Sequence, residues 1–350
     1  MSAKQTTKPA PRGFDKELAE LDELIADLKA SSAPNAAQTE QLRKTLAHRN
    51  NLLVAKAARM VADMELSALL PDVLAAYDHF FVDAAKTDPQ CWAKNALVKA
   101  LVKLEHRQKD AYLRGLRHHQ MEGAWGGASD TAGALRGACA HALVDCPGIN
   151  DTDLLAVLLE PLTDADKTVR IEAARAIGQV GGPSAALILR LRALLAKDEP
   201  EVLGAVYSAL LAVEGTRAVA LVAAALKEGD DLAGEAAFAL AEMRTPEALE
   251  ALIARLCTGV DGHSNQWFGS VLLSAIALTR LPEAIDFLLA LIQRDAREAP
   301  SAIEAIGRTA PNAELRSRVQ KAVEQAASPR LDQAFRQHLS SPPPDTVPVP

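Results

Sequence analysis

Aromatic side chains make up 4% of this 350-residue chain, and it has four cysteines. Cys91, Cys139, Cys146 and Cys257 fall in no paired or CxxC spacing. Neither a disulfide framework nor a thiolate metal motif is therefore written here, and reduced thiols in a cytoplasmic protein are expected. No apolar run approaches the roughly 20 residues of a membrane span; the longest lies near 218–226. The opening MSAKQTTKPAPRG has no apolar segment, so it does not read as a secretory signal. No alternating stretch of useful length suggests a strand, no glycine-rich loop suggests a phosphate cradle, and no nucleophile motif suggests covalent catalysis.

What the chain has is a repeat. A small residue followed by an aliphatic one recurs as Met60-Val61, Ala100-Leu101, Ala142-Leu143, Ala176-Ile177, Ala209-Leu210, Ala239-Leu240, Ala275-Ile276 and Ala305-Ile306. Successive pairs are 40, 42, 34, 33, 30, 36 and 30 residues apart. Alanine at a helix contact lets two backbones approach closely and has the best helix propensity. Val169, Ile171, Ala173, Ala174, Ile177 and Val180 add a wide apolar face at helical spacing. Breakers follow at Gly181-Gly182-Pro183, Gly215-Thr216, Thr245-Pro246 and Leu281-Pro282, where proline suits the first turn of a second helix. Acidic turns at Asp164 and Asp166, Asp198, Asp230 and Asp231, and Asp295 can cap the helix that comes next. The unit is a helical hairpin that buries its apolar face only by stacking on its neighbours.

Asp164, Asp166, Val169, Arg170, Ala173, Ala174, Ala176, Ile177, Gly178 and Gly181 resemble the HEAT repeat, including the bacterial subgroup found in phycobilisome lyases. The match is strong over 168–256, fair over 265–326 and 50–81, and loose over 90–162. The resemblance implies an all-α fold, a right-handed α-solenoid of about eight hairpins over 37–326. Its second helices, near 66–81, 107–118, 151–162, 183–196, 215–227, 245–256, 282–293 and 312–326, would present a binding surface. HEAT-like hydroxylases of the deoxyhypusine type carry repeated His-Glu pairs as iron ligands, and this chain has no His-Glu dipeptide. HEAT-like DNA glycosylases and bilin lyases are the enzymatic relatives to weigh. No set of basic, aromatic and acidic residues at matching repeat positions, and no tetrapyrrole-binding cluster, supports either.

The ends lie outside the repeat. Residues 1–13 are expected to form a disordered N-terminus, and 14–30 an amphipathic helix with Leu18, Leu21, Ile25 and Leu28 on one face. That helix would cap the array or pair with a partner helix. Residues 327–350 read as a C-terminal extension ending in a proline-rich tail.

Charge is uneven. Residues 1–122 hold 18 Lys/Arg against 16 Asp/Glu, whereas 123–350 hold 20 against 29. Within 86–121, Lys86, Lys94, Lys99, Lys103, Arg107, Lys109, Arg114 and Arg117 face only Asp88, Glu105 and Asp110. On a continuous helix Lys99, Lys103 and Arg107 would stack on one side. The sequence pI near 5.7 is not the footprint of a nucleic-acid binder. Two glycine-rich segments interrupt the array. One spans 123–129 around Trp125; the other, 259–269, holds His263, Trp267 and Phe268. Insertions in solenoids map to loops, often on the binding face.

Weaker constellations are Cys139, His141, Asp145 and Cys146, and His118, His119 and Glu122. Helical geometry sends Cys139 and His141 in different directions, so a packed helix is the reading for the first set. The sequence thus points to a cytoplasmic, non-enzymatic scaffold without metal or cofactor. It would bind a protein or peptide segment, with an acidic one favoured by the basic stretch, and no membrane. The alternatives are a nucleic-acid-binding, glycosylase-like protein using the basic repeat 86–121, which the pI disfavours, and a lyase-like enzyme. The expected contact residues are Lys99, Lys103, Arg107, Arg114, Arg117, Trp125, Trp267 and Phe268.

Overall fold

All sixteen residues of the eight anchor pairs are buried, each pair on its own helix. The computed structural model describes residues 13–31, 33–258 and 266–339. Expectations for residues 1–12, 259–265 and 340–350 fall outside the described residues. The fold class is all-α, α-solenoid, with antiparallel helical hairpins as its unit. Two compact bodies divide the chain, Met1–Ala173 and Ala174–Pro350, and the division falls within the helix Lys167–Val180.

In the first body the first helices Asn51–Asp63, Trp92–Lys103 and Gly133–Val144 stack in sequence order. Their partners are Leu70–His79, Lys109–Leu116 and Asp151–Leu162. The N-terminal helix Gly13–Ala30 packs on Asn51–Asp63 with Leu21, Leu24 and Leu28 buried, while Leu18 and Ile25 sit at the edge of that face. Ala36–Leu46 follows it, started by a capping box in which Asn35 and Gln38 exchange 2.9 Å bonds. These two helices have the form of one more hairpin.

The long anchor spacings of 40 and 42 residues have visible causes. Between the first two anchors the chain inserts the short turns Ala84–Thr87 and Pro89–Cys91. Between the next two it inserts a β-hairpin, strand β1 Met121–Ala124 and strand β2 Gly127–Asp130. No alternating run announced these strands, because glycine, alanine and serine dominate them.

In the second body the first helices are Pro200–Glu214, Asp231–Met243, Gln266–Thr279 and Ala299–Arg308. The second helices are Gly182–Leu195, Val219–Ala224 with its flanking 3-10 turns, Pro246–Cys257, Pro282–Gln293 and Ala313–Ala326. Pro329–Leu339, in the C-terminal extension, packs on Ala299–Arg308 with Leu331, Ala334 and Leu339 buried, as a further first helix would. Close approach is literal here: a Cβ on Gly178 would stand 2.8 Å from Ala209 Cβ. Residues 200–227 form a helical run long and apolar enough to cross a membrane by length and composition. Gly215, at φ +63°, breaks that run into two legs, the first packed on Asp231–Met243 and the second on both Asp231–Met243 and Pro246–Cys257.

The acidic turns divide by role. Asp230 caps its helix through Ala233 N (3.0 Å), and Asp166 accepts from Thr168 N (2.8 Å). Asp198 and Asp295 instead pair with Arg192 and Arg330.

Candidate protein-interaction surface

The β-hairpin exists because glycine stands where its turn needs it. Trp125 and Gly126 form the two-residue loop between Ala124 and Gly127, which pair with each other. Gly126 has φ +89°, the left-handed value that the second loop residue of a type II turn requires. The turn leaves Trp125 fully exposed, and Met121, on β1, is largely exposed too.

An isolated two-stranded ribbon is marginal in water, and this one is held at its base by charge. Glu122 Oε1 accepts from Gln90 N (2.7 Å), Gln120 Nε2 (2.6 Å) and Thr131 Oγ1 (2.6 Å). Asp130 accepts from the backbone N–H of Gln120 (2.9 Å) and Ala132 (3.0 Å), and from Arg136 Nη1 (2.7 Å). His119 Nδ1 lies 2.8 Å from the same carboxylate. The buried Arg136 forks onto Asp164 at 2.8 and 3.0 Å and donates to the His118 carbonyl at 3.0 Å. Burial opposes the charge on Asp130, but the hydrogen bonds from Gln120, Ala132, His119 and Arg136 outweigh it and hold its carboxyl well below the usual range. Glu122 is lowered in the same way, with burial opposing and Thr131 and Gln120 leading the donors.

The network continues one layer deeper. Gln120 Nε2 donates to the Asp88 carbonyl (2.8 Å), and the buried Asp88 carboxylate pairs with buried Lys94 at 3.0 Å. The same carboxylate accepts from the N–H groups of Ala93 and Lys94, so it caps the helix Trp92–Lys103. Gln90 and Cys91, at φ +61° and +53°, form the turn that aims these groups. Non-glycine residues held there cost on the order of 1–3 kcal/mol each and persist where their surroundings over-determine them.

This network ties the hairpin to the turn before Trp92–Lys103 and to Asp164. Burial pushes the Cys91 thiol up to about 11 and the Cys139 thiol up to about 12, against thiolate chemistry at neutral pH. His118 contacts Gln120, His119 contacts Asp130, and His141 pairs with Glu172 at 2.5 Å. Among the described residues no group of three or more His, Cys, Asp or Glu is placed to hold a metal.

The sequence-predicted contact residues differ in exposure and in pairing. Lys99 and Lys103 are exposed on Trp92–Lys103, but that helix ends at Lys103 and Glu105 turns left-handed at φ +54°. Arg107 therefore does not continue their row, as the helical spacing had suggested. Arg114 pairs with Asp78 (2.5 Å), Arg117 with Glu160 (4.0 Å), and Lys94 is buried, so much of the basic excess is neutralised locally. The Gln90–Glu122 bond places the β-hairpin at the start of Trp92–Lys103. Lys103 stands at the other end, about 17 Å away along the axis at 1.5 Å per residue.

Phe268 is a correction. It is fully buried on the helix Gln266–Thr279, with the Arg255 guanidinium 5.4 Å from its ring centroid, and cannot touch a partner. The helix begins earlier than the loop reading of 259–269 allowed, which turns Phe268 onto the core face. Trp267 is half-exposed and lies against Gly234.

One apolar surface escaped the sequence reading. Leu187, Leu191, Leu194 and Leu195, all on Gly182–Leu195, are exposed. The available signal was excess: the helix is apolar on more sides than one buried face can use.

A family model for HEAT repeats matches residues 127–210. Those residues carry HEAT repeats. The matched stretch spans Gly133–Val144 to the first half of Pro200–Glu214, and so includes 133–162, where the repeat pattern had looked loose. Curated proteins give no match to this chain.

Proposed function

We propose that this HEAT-repeat protein is a non-enzymatic cytoplasmic scaffold that binds a protein partner, with the β-hairpin as a contact element. The observation that carries this reading is the fully exposed Trp125 at the tip of a hairpin whose base is fixed by Glu122, Asp130 and Arg136. A large indole in water has no stabilising role for the array, whereas tryptophan is a favoured anchor at interfaces. Fixing the hairpin beforehand lowers the ordering cost of binding. Of the expected contact residues, Lys99, Lys103 and Arg107 are the basic ones left to favour an acidic partner, since Arg114 and Arg117 are already paired.

Photo-crosslinking in the native host tests the proposal. A photoreactive residue replacing Trp125 should capture a discrete protein, and one replacing exposed Lys321 on the second helix Ala313–Ala326 should not. Equal yields of the same proteins from both positions, or none from position 125, would refute it.

A further inference from the structure

The helix Gly182–Leu195 turns Ala185, Ala186, Leu189 and Ala193 into its own array. Outside that face Leu187, Leu191, Leu194 and Leu195 stand 68%, 61%, 67% and 51% exposed. Spaced i, i+4, i+7 and i+8, they make one stripe about 12 Å long.

The later second helices of the same body serve as an internal control. Aligning the buried Leu189 with Val222, Leu252, Leu288 and Val319 puts Leu187 where the others carry Ala220, Glu250, Asp286 and Ser317. At the other three stripe positions they carry alanine, cysteine or polar residues, all exposed. The hairpin fold thus has no need of large apolar side chains there. We propose that the leucine stripe docks one amphipathic helix of a protein partner, seated by leucine-type residues at i, i+3/i+4 and i+7.

Area and composition select that occupant. The four side chains expose on the order of 400 Å², within the range of a monomer's largest, often functional, apolar patch. A stable pairing of two copies buries about 800 Å² on each side, roughly twice what stripe-to-stripe contact offers. Residues 1–12, 259–265 and 340–350 carry no leucine, isoleucine or phenylalanine to seat on the stripe. Residues 1–12 bring Met1 as their only large apolar residue, 340–350 contain five prolines, and 259–265 a single valine. The flanking Arg190 and Arg192 are paired with Glu214 and Asp198, so apolar contact and not charge selects the partner.

The inference rests on reading the array as a protein-binding scaffold, but not on Trp125 being its site. The test is selection of the full-length protein against a display library of amphipathic helices about 20 residues long. Leu191→Gln/Leu194→Gln, which removes leucine where the later helices do without it, serves as the counter-selected variant, its folding checked by circular dichroism. Enriched clones should share the leucine stripe. A synthetic peptide from one of them should bind the wild-type protein in fluorescence anisotropy, about tenfold or more weaker to the double variant. The same peptide should bind Trp125→Ala as it binds wild type, with little change between low and high salt.

Absence of enrichment, or equal binding to wild type and double variant, overturns the docking proposal. A leucine-dependent dimer in analytical ultracentrifugation would reassign the stripe to a second copy. Failure here together with a specific crosslink from position 125 leaves the scaffold reading standing; failure of both removes it.

Discussion

The two bodies of this chain bury different chemistry. Among the described residues, Met1–Ala173 buries Asp88, Lys94, His106, Gln120, Arg136 and Arg170, whereas Ala174–Pro350 buries only Thr279 and Ser328 as polar side chains. The contrast follows the anchor spacing. Where hairpins succeed one another at 30 to 36 residues, alanine and leucine contacts satisfy the helices and almost nothing polar need enter. Where the chain inserts turns and a β-hairpin, new backbone groups and left-handed residues need partners, and charged side chains provide them. Buried ion pairs add little net stability compared with an apolar core, but losing one partner is costly. The first body therefore holds a specific shape by charge, and the second holds a generic one by packing.

The largest break in this comparison should come from Arg136→Met. It leaves Asp130 and Asp164 without their shared cation, and removing one partner of a buried pair costs about 3–5 kcal/mol. Chemical denaturation should show a marked loss of stability. Hydrogen exchange should place the loss in 88–173, with 200–308 unchanged. Ala176→Phe strikes the second body's packing and should cost roughly 1–3 kcal/mol by overpacking, with the damage confined to the hairpins around Pro200–Glu214. Uniform loss across the chain in either variant would contradict the division.

How much of this was legible beforehand depends on whether a residue obeys periodicity. The anchors and second helices repeat at helical spacing, so their burial could be read from Ala176-Ile177 and its equivalents. Lys94 could not be read this way. Its partner Asp88 lies before the helix, and only the left-handed turn at Gln90-Cys91 brings the two together. Arg107 was misplaced for the complementary reason: periodicity was carried past a helix end that Glu105 creates. The exposed leucines of Gly182–Leu195 were hidden by the assumption that apolar means core.

Acid should also separate the two bodies. Burial lowers His106 and His118 in the first body, so the unfolded chain takes up their protons first, and stability there should fall as pH drops below about 6.5. Asp130 and Glu122 are depressed, so the stability they contribute is present above the ordinary carboxylate range and lost only in stronger acid. In the second body Glu235 is raised, by burial first and then by Glu201, Asp231 and Glu242. Its contribution is present at low pH and lost as pH rises through the raised value, the opposite sense. Exchange measured at neutral pH and near pH 5 should show the first body loosening and the second not.

The smallest effect is expected from Trp125→Ala. With the indole wholly in solvent, stability should change by less than about 0.5 kcal/mol, while the crosslink-captured partner should bind more weakly. A substantial drop in melting temperature would mean that the indole packs on the array in solution.

Hydrogen exchange across the β-hairpin in the full-length protein tests the central claim most directly. If Glu122, Asp130 and Arg136 hold the hairpin, the ladder amides of Met121–Ala124 and Gly127–Asp130 should be protected in the wild type and in Trp125→Ala, and lose protection in Arg136→Met. Ladder amides that exchange in the wild type as fast as an unstructured peptide would contradict the account.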